Sequence, residues 1–121
     1  MKHKVFIYGT LKRGQYFHDR FLKDKALFLS NALASTDYSL YIDGLPHMIR
    51  ESTDEPVKGE LYEMDDQVLN SLDELESHPI VYKRELIDVY DDSGVKMIAW
   101  CYLRSPSFKG RSGAFKDTEF V

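Results

Sequence analysis

Two strand-like runs, Tyr82–Tyr90 and Val95–Leu103, flank Asp91-Asp92-Ser93-Gly94 and read as a hairpin. Its second arm constrains the fold most, because Met97-Ile98-Ala99-Trp100-Cys101 is apolar at odd and even positions alike. Successive strand side chains point to opposite faces, so this arm predicts a central strand buried on both sides. The rest of the chain supplies neighbours. Strands are expected at Lys4–Tyr8, Ala26–Ala34, Ser39–Ile42, His47–Arg50 and Lys58–Met64, and a short helix over His18–Lys25. Asp43-Gly44-Leu45-Pro46 is a turn, and Ser52–Pro56 a polar loop. From Ser105 onward, Pro106, Gly110 and Gly113 break any period, which predicts a loop or lid over the core.

With 121 residues the chain is expected to form one domain spanning 1–121. Its apolar runs are far shorter than the ~18 residues of a membrane span, and Val5-Phe6-Ile7 is too short for a secretory signal. A lone cysteine, Cys101, has no partner for an internal disulfide, so a cytoplasmic setting is expected. A net charge of −4 disfavours general nucleic-acid binding, and Lys12 and Arg13 form only a local basic pair. His3, His18, His47 and His78 lack metal-ligand spacing and read as surface or cap histidines. Tyr82, Tyr90, Trp100 and Tyr102 read as core or barrel-lining aromatics.

The stretch Tyr8-Gly9-Thr10-Leu11-Lys12-Arg13-Gly14-Gln15-Tyr16 is punctuated like a phosphate loop. That loop needs Lys then Ser or Thr after its second glycine, where this chain has Gln15 and Tyr16. A dinucleotide fingerprint fails too, for want of a third glycine. Gly9, at a strand end, is expected to adopt a positive backbone angle and turn the chain.

Asp65 is placed to cap a helix running to about Glu76, and Pro79 helps to stop it. Val68, Leu69, Leu72 and Leu75 share one helical face. On a 100° wheel Glu74 points to solvent, whereas Glu76 falls between Leu69 and Leu72, at the margin of the apolar stripe and at the helix C-terminus. Desolvation and the helix dipole both disfavour its charge, which makes it a better base near neutral pH. The alternative is a margin glutamate that reaches out to water. Cys101 lies mid-strand as a small hydrophobe, and no serine nucleophile elbow is present.

Two stretches, VFIYGTLKRGQYFH and LDELESHPIVYKREL, together resemble the γ-glutamylcyclotransferase-like family, and most closely its γ-glutamylamine cyclotransferase branch. VKGELYEMD and AWCYLR follow the same order, so the likeness covers most of residues 4–104. It implies an α+β fold, a small mixed β-barrel with short flanking helices. It also implies that Tyr8, Gly9, Thr10 and Leu11 hold a γ-glutamyl group, that Glu76 is the catalytic acid/base, that Tyr102 lines the pocket, and that Arg84 and Tyr82 support structure. Ser77 departs from a frequent family glycine, and the tail lacks much of what some relatives use as a pocket wall.

The implied reaction needs no cofactor. The α-amine of a γ-glutamyl group attacks its own γ-carbonyl, closing 5-oxoproline and expelling an amine, with a small-molecule substrate, no nucleic acid or membrane partner, and a monomer or weak dimer. Cyclisation of γ-glutamyl amino acids or other amides, and a non-catalytic small-acid or partner-binding member, are the alternatives the resemblance leaves open.

Overall fold

The computed structural model describes residues 1–43, 45–107 and 111–112. Along them run β1 (Lys2–Ile7), α1 (His18–Phe21), β2 (Leu27–Ala34), β3 (Tyr38–Asp43), β4 (Leu45–Arg50), β5 (Lys58–Asp65), α2 (Asp66–Leu75), β6 (Lys83–Asp91), β7 (Lys96–Leu103) and β8 (Arg111–Ser112). Strands pair in the order β1-β5-β2-β6-β7, and β7 returns to β1 at Trp100–Val5 to close a small barrel. The β1–β7 contact is parallel while the other pairs around the ring are antiparallel, so the barrel is mixed. At Leu103 the same edge of β7 passes to Met48 of β4, which carries β3 and β8 outward. No helix among the described residues is long and apolar enough to cross a membrane.

Strand alternation sorts the apolar residues into two cores. Phe6, Leu61, Ile87, Val89, Ala99, Cys101 and Leu103 fill the barrel together with Ala32 and Ala34. Val5, Ile7, Tyr62, Met64 and Tyr102 point outward and meet Leu69 and Leu72 of α2 and Leu22 beyond α1. A barrel with so few strands has little interior room, so large and small side chains must be matched around it. Gly59 is the tightest point: a Cβ there would lie 2.6 Å from Phe6 Cζ and 2.4 Å from the Ile7 carbonyl oxygen.

Several expectations need correction. The helix over His18–Lys25 is shorter, since α1 ends at Phe21 and Asp24, at φ 62°, turns the chain toward β2. The β7 arm is central, but Ile98 is 60% exposed, because no element among the described residues covers the outer face of the barrel at that point. Tyr90 lies on the same uncovered face and is 37% exposed rather than core. His47 is wholly buried, not a surface or cap residue, because β4 is covered on both faces through Pro46–Ile49. Lys12, read as part of a local basic pair, is buried as well. In the tail, Arg111–Ser112 pairs with β3, while residues 108–110 and 113–121 of the expected loop or lid lie outside the described residues, as does Gly44 of the β3–β4 turn.

Gly59→Ala is therefore expected to destabilise the protein by about 2 kcal/mol or more, since a fixed backbone oxygen and a packed ring cannot both move aside. Chemical denaturation compares the variant with wild type, and an unchanged midpoint would contradict the packing described.

Candidate active site

Helix α2 is positioned from both ends. The Asp65 carboxylate accepts the Val68 N–H at 2.9 Å, capping the first turn as expected. At the far end the Ser77 N–H donates to the Glu74 carbonyl at 3.1 Å and the His78 N–H to the Asp73 carbonyl at 2.9 Å. With Ser77 at φ 53°, this is a Schellman closure, in which the residue after the C-cap is left-handed. Glycine takes that conformation without steric cost, whereas a serine there is strained.

The C-cap residue is Glu76, and the closure delivers it to a cavity of about 150 Å³ at the mouth of the barrel. Tyr8, Gly9, Thr10, Leu11, Glu76 and Tyr102, the residues singled out from the sequence, all line this cavity, with Tyr82 beside them. Phe17, Leu45, Pro46 and Leu75 add an apolar wall. Glu74 is exposed, as the helical wheel predicts. Burial pushes the Glu76 carboxyl from its ordinary 4.5 up to about 7. Among the described residues its oxygens find no hydrogen-bond donor.

Its neighbours are neutral near pH 7. Burial raises Tyr8 well above the usual phenol range, and burial followed by the Glu76 charge raises Tyr82. Burial also raises Tyr102 and Cys101. The Tyr8 hydroxyl donates to the Tyr102 carbonyl at 2.7 Å and accepts the Met48 N–H at 3.2 Å, so it joins β7 and β4 at the cavity floor. Its ring borders the cavity while its hydroxyl is occupied by the backbone.

The loop after β1 is tied down from outside. The Lys12 N–H bonds the Gly9 carbonyl at 3.0 Å, the Phe17 N–H the Thr10 carbonyl at 2.9 Å, and His18 Nδ1 pairs with the Leu11 carbonyl at 2.9 Å. Buried Glu60 accepts the Arg13 N–H at 2.9 Å, and the Arg13 guanidinium lies 3.8 Å above Phe28. The N–H groups of Gly9, Thr10 and Leu11 find no acceptor among the described residues. Consecutive backbone donors beside a cavity are able to cradle an oxygen anion. The expected positive φ at Gly9 is not found, the left-handed glycines among the described residues being Gly14 and Gly94. A Cβ on Gly9 would meet Pro46 Cγ at an ordinary 3.5 Å, in space that belongs to the cavity.

Sequence reasoning missed Asp73. Its carboxylate accepts the Tyr102 hydroxyl at 2.7 Å and the Arg84 guanidinium at 2.9 and 3.1 Å. Arg84 lies 4.3 Å over the Trp100 ring, and its N–H donates to His78 Nδ1 at 3.0 Å, consistent with the supporting part expected of it. The signal was available: Asp73 sits three residues before Glu76, on the side of α2 that meets the strands.

The sequence profile of the gamma-glutamyl cyclotransferase, AIG2-like family matches residues 5–119. A Methanocaldococcus jannaschii protein that carries a provisional gamma-glutamylcyclotransferase name is 32% identical over 115 residues, covering 93% of this chain and 95% of its own. Human gamma-glutamylaminecyclotransferase is 38% identical over 93 residues, 70% of this chain, and the chain spans 60% of the human protein's length. The crystal structure of a mouse AIG2-like protein superposes with a TM-score of 0.83 at 28% identity, covering 98% of this chain and 90% of the mouse chain.

Two outcomes test this geometry. Ser77→Gly removes a left-handed strain of about 1–2 kcal/mol, partly offset by the freedom glycine adds to the unfolded chain, so a net gain of up to about 1 kcal/mol is expected in denaturant unfolding. Glu76 binds its proton more tightly folded than unfolded, so its contribution to stability falls as pH rises from 4.5 to about 7. At about 1.4 kcal/mol per pH unit, Glu76→Gln should be more stable than wild type at pH 8 by up to about 3 kcal/mol, with the gap closing toward pH 4.5. A gap that stays constant across that range would show the carboxyl to be solvated.

Proposed function

The chain belongs to the gamma-glutamyl cyclotransferase, AIG2-like family, and on that premise we propose that it cyclises γ-glutamyl amides, releasing 5-oxoproline and a free amine. The observation that carries this reading is a half-buried carboxyl with a pKa of about 7 and no donor among the described residues, in the same cavity as three consecutive backbone N–H groups that likewise have no acceptor among the described residues.

The substrate's α-amine has a reference pKa of about 8 and arrives mostly protonated, so a base must take that proton before attack. Glu76 is that base. The freed nitrogen attacks the γ-carbonyl carbon, and the carbonyl oxygen becomes anionic against the N–H groups of Gly9, Thr10 and Leu11. The proton then passes from Glu76 to the departing nitrogen as the oxyanion collapses and the amide bond breaks, and the second proton of the ring nitrogen follows it, which leaves a neutral lactam, an ammonium product and the restored carboxylate. Attack within one molecule removes much of the barrier once the substrate is held folded, so no protein nucleophile is required.

The human relative is named for γ-glutamylamines, and the apolar wall of Phe17, Leu45, Pro46 and Leu75 supports the same finer reading here. It accommodates the aliphatic stem of an amine such as the lysine side chain in γ-glutamyl-ε-lysine. Glu76 is the charged side chain among the described lining residues, so none of these offers a cation to the carboxylate that an amino-acid leaving group would bring. The loop and α2 form the γ-glutamyl end of the site and the apolar wall forms the leaving-group end.

Release of 5-oxoproline from γ-glutamyl-ε-lysine is expected with wild type and absent with Glu76→Gln, and kcat/KM should rise with pH through about 7 as the base ionises. Release from γ-glutamyl amino acids alone would reassign the leaving group. Turnover by a folded Glu76→Gln protein would remove Glu76 from the mechanism.

A further inference from the structure

Glu76 and Asp73 lie three residues apart on α2, so their side chains are neighbours about 5–6 Å apart at Cβ. Two carboxylates so placed raise each other's proton affinity unless a cation intervenes. Here the structure treats the two acids in opposite ways. Asp73 takes the Tyr102 hydroxyl from β7 and a two-pronged guanidinium from Arg84 of β6, and both members of this ion pair are 18% exposed. Glu76 has no donor among the described residues.

We propose that Asp73 is a positioning residue, with Arg84 as its charge partner: the pair holds the last turn of α2 against β6 and β7 and cancels the field that either charge alone would place on Glu76. The inference rests on the reading of Glu76 as the base. The last turn has few other polar ties to the strands. The Asp73 carbonyl closes the Schellman motif, and His78 from that motif accepts the Arg84 N–H. One residue thus connects the left-handed turn, the strand that closes the barrel and the strand beside it.

The groups that line the cavity around Glu76 are otherwise neutral. Tyr8 lies beside it just after β1, Tyr102 on β7, and Tyr82 in the segment before β6, with Cys101 behind them in the barrel, all neutral near pH 7. The Gly9 loop and β4 present Thr10, Leu11, Leu45 and Pro46 to the cavity. His78 is engaged by the Arg84 N–H, and Arg104, a second cation that every variant below keeps, lies 5.3 Å from the Tyr82 ring and bonds its hydroxyl. Glu74 points to solvent. Burial is the cause of the raised Glu76 pKa, as expected if Asp73 and Arg84 cancel.

The test is a carbon-13 NMR titration of the Glu76 side chain in the full, ligand-free protein, for wild type, Asp73→Asn and Arg84→Met. It is run beside the pH dependence of kcat/KM for 5-oxoproline release. Asp73→Asn keeps an acceptor for Tyr102 but leaves Arg84 uncompensated, so the Glu76 midpoint should fall. Arg84→Met leaves Asp73 uncompensated, so it should rise, each by at least about half a pH unit. Arg84→Lys preserves the charge but not the fork, and should leave the midpoint in place while lowering kcat more than it changes KM. Should Arg84→Met fail to fold, the fall in Asp73→Asn and the fixed midpoint in Arg84→Lys carry the test. Midpoints that coincide in every variant, or shift in the same direction in both uncompensated ones, would overturn the proposal. Opposite shifts without 5-oxoproline release by any protein would sustain the charge coupling and defeat the assigned activity.

Discussion

The site depends on how β7 divides one of its edges. At Trp100 that edge pairs with Val5 of β1, which closes the barrel, and at Leu103 it pairs with Met48 of β4. Strand β1 ends at Ile7, so the edge changes partner just where the chain leaves the sheet and enters the Tyr8–Phe17 loop. A cavity opens there because the closed ring has no room inside it. The Tyr8 hydroxyl joins both sides of the changeover, bonding the backbone of β7 and of β4. Closure, cavity floor and the loop beside the cavity are consequences of one pattern of strand pairing.

Against that mouth the protein places the weakest electrostatic position on α2, its C-terminus. A carboxylate is disfavoured there by the dipole and further disfavoured when desolvated. The fold accepts this cost at Glu76 and avoids it at Asp73, where a guanidinium and a phenol satisfy the charge. It also accepts a left-handed Ser77 to finish the helix there. Strain and an acid with no donor among the described residues, concentrated in one turn beside a cavity lined largely by apolar groups, are the pattern expected where stability is surrendered for chemistry.

Legibility from sequence followed the range of the forces involved. The 100° wheel separated Glu76 from Glu74 because helix periodicity is local, and the Asp65 cap and the β6–β7 hairpin were legible for the same reason. Ile98 and Tyr90 were misplaced because alternation tells which residues share a face, not whether another element covers it. His47 was misplaced because burial of β4 on both faces depends on β3, β7 and the strand's place beyond the barrel rim. The expected left-handed Gly9 confused two uses of glycine, a backbone angle and free space, and the structure assigns it the second.

By itself, then, the sequence determined the strands, the helix that bears the acid, the face on which Glu76 sits, and through its motifs the family. These are properties of a few consecutive residues, set by side-chain period and capping chemistry. Tertiary structure alone decided that β7 joins β1, that Tyr8 spends its hydroxyl on two backbones, and that Asp73 meets Arg84 and Tyr102. Those contacts unite residues far apart in the chain, and they form only when a narrow barrel closes and brings its edges together.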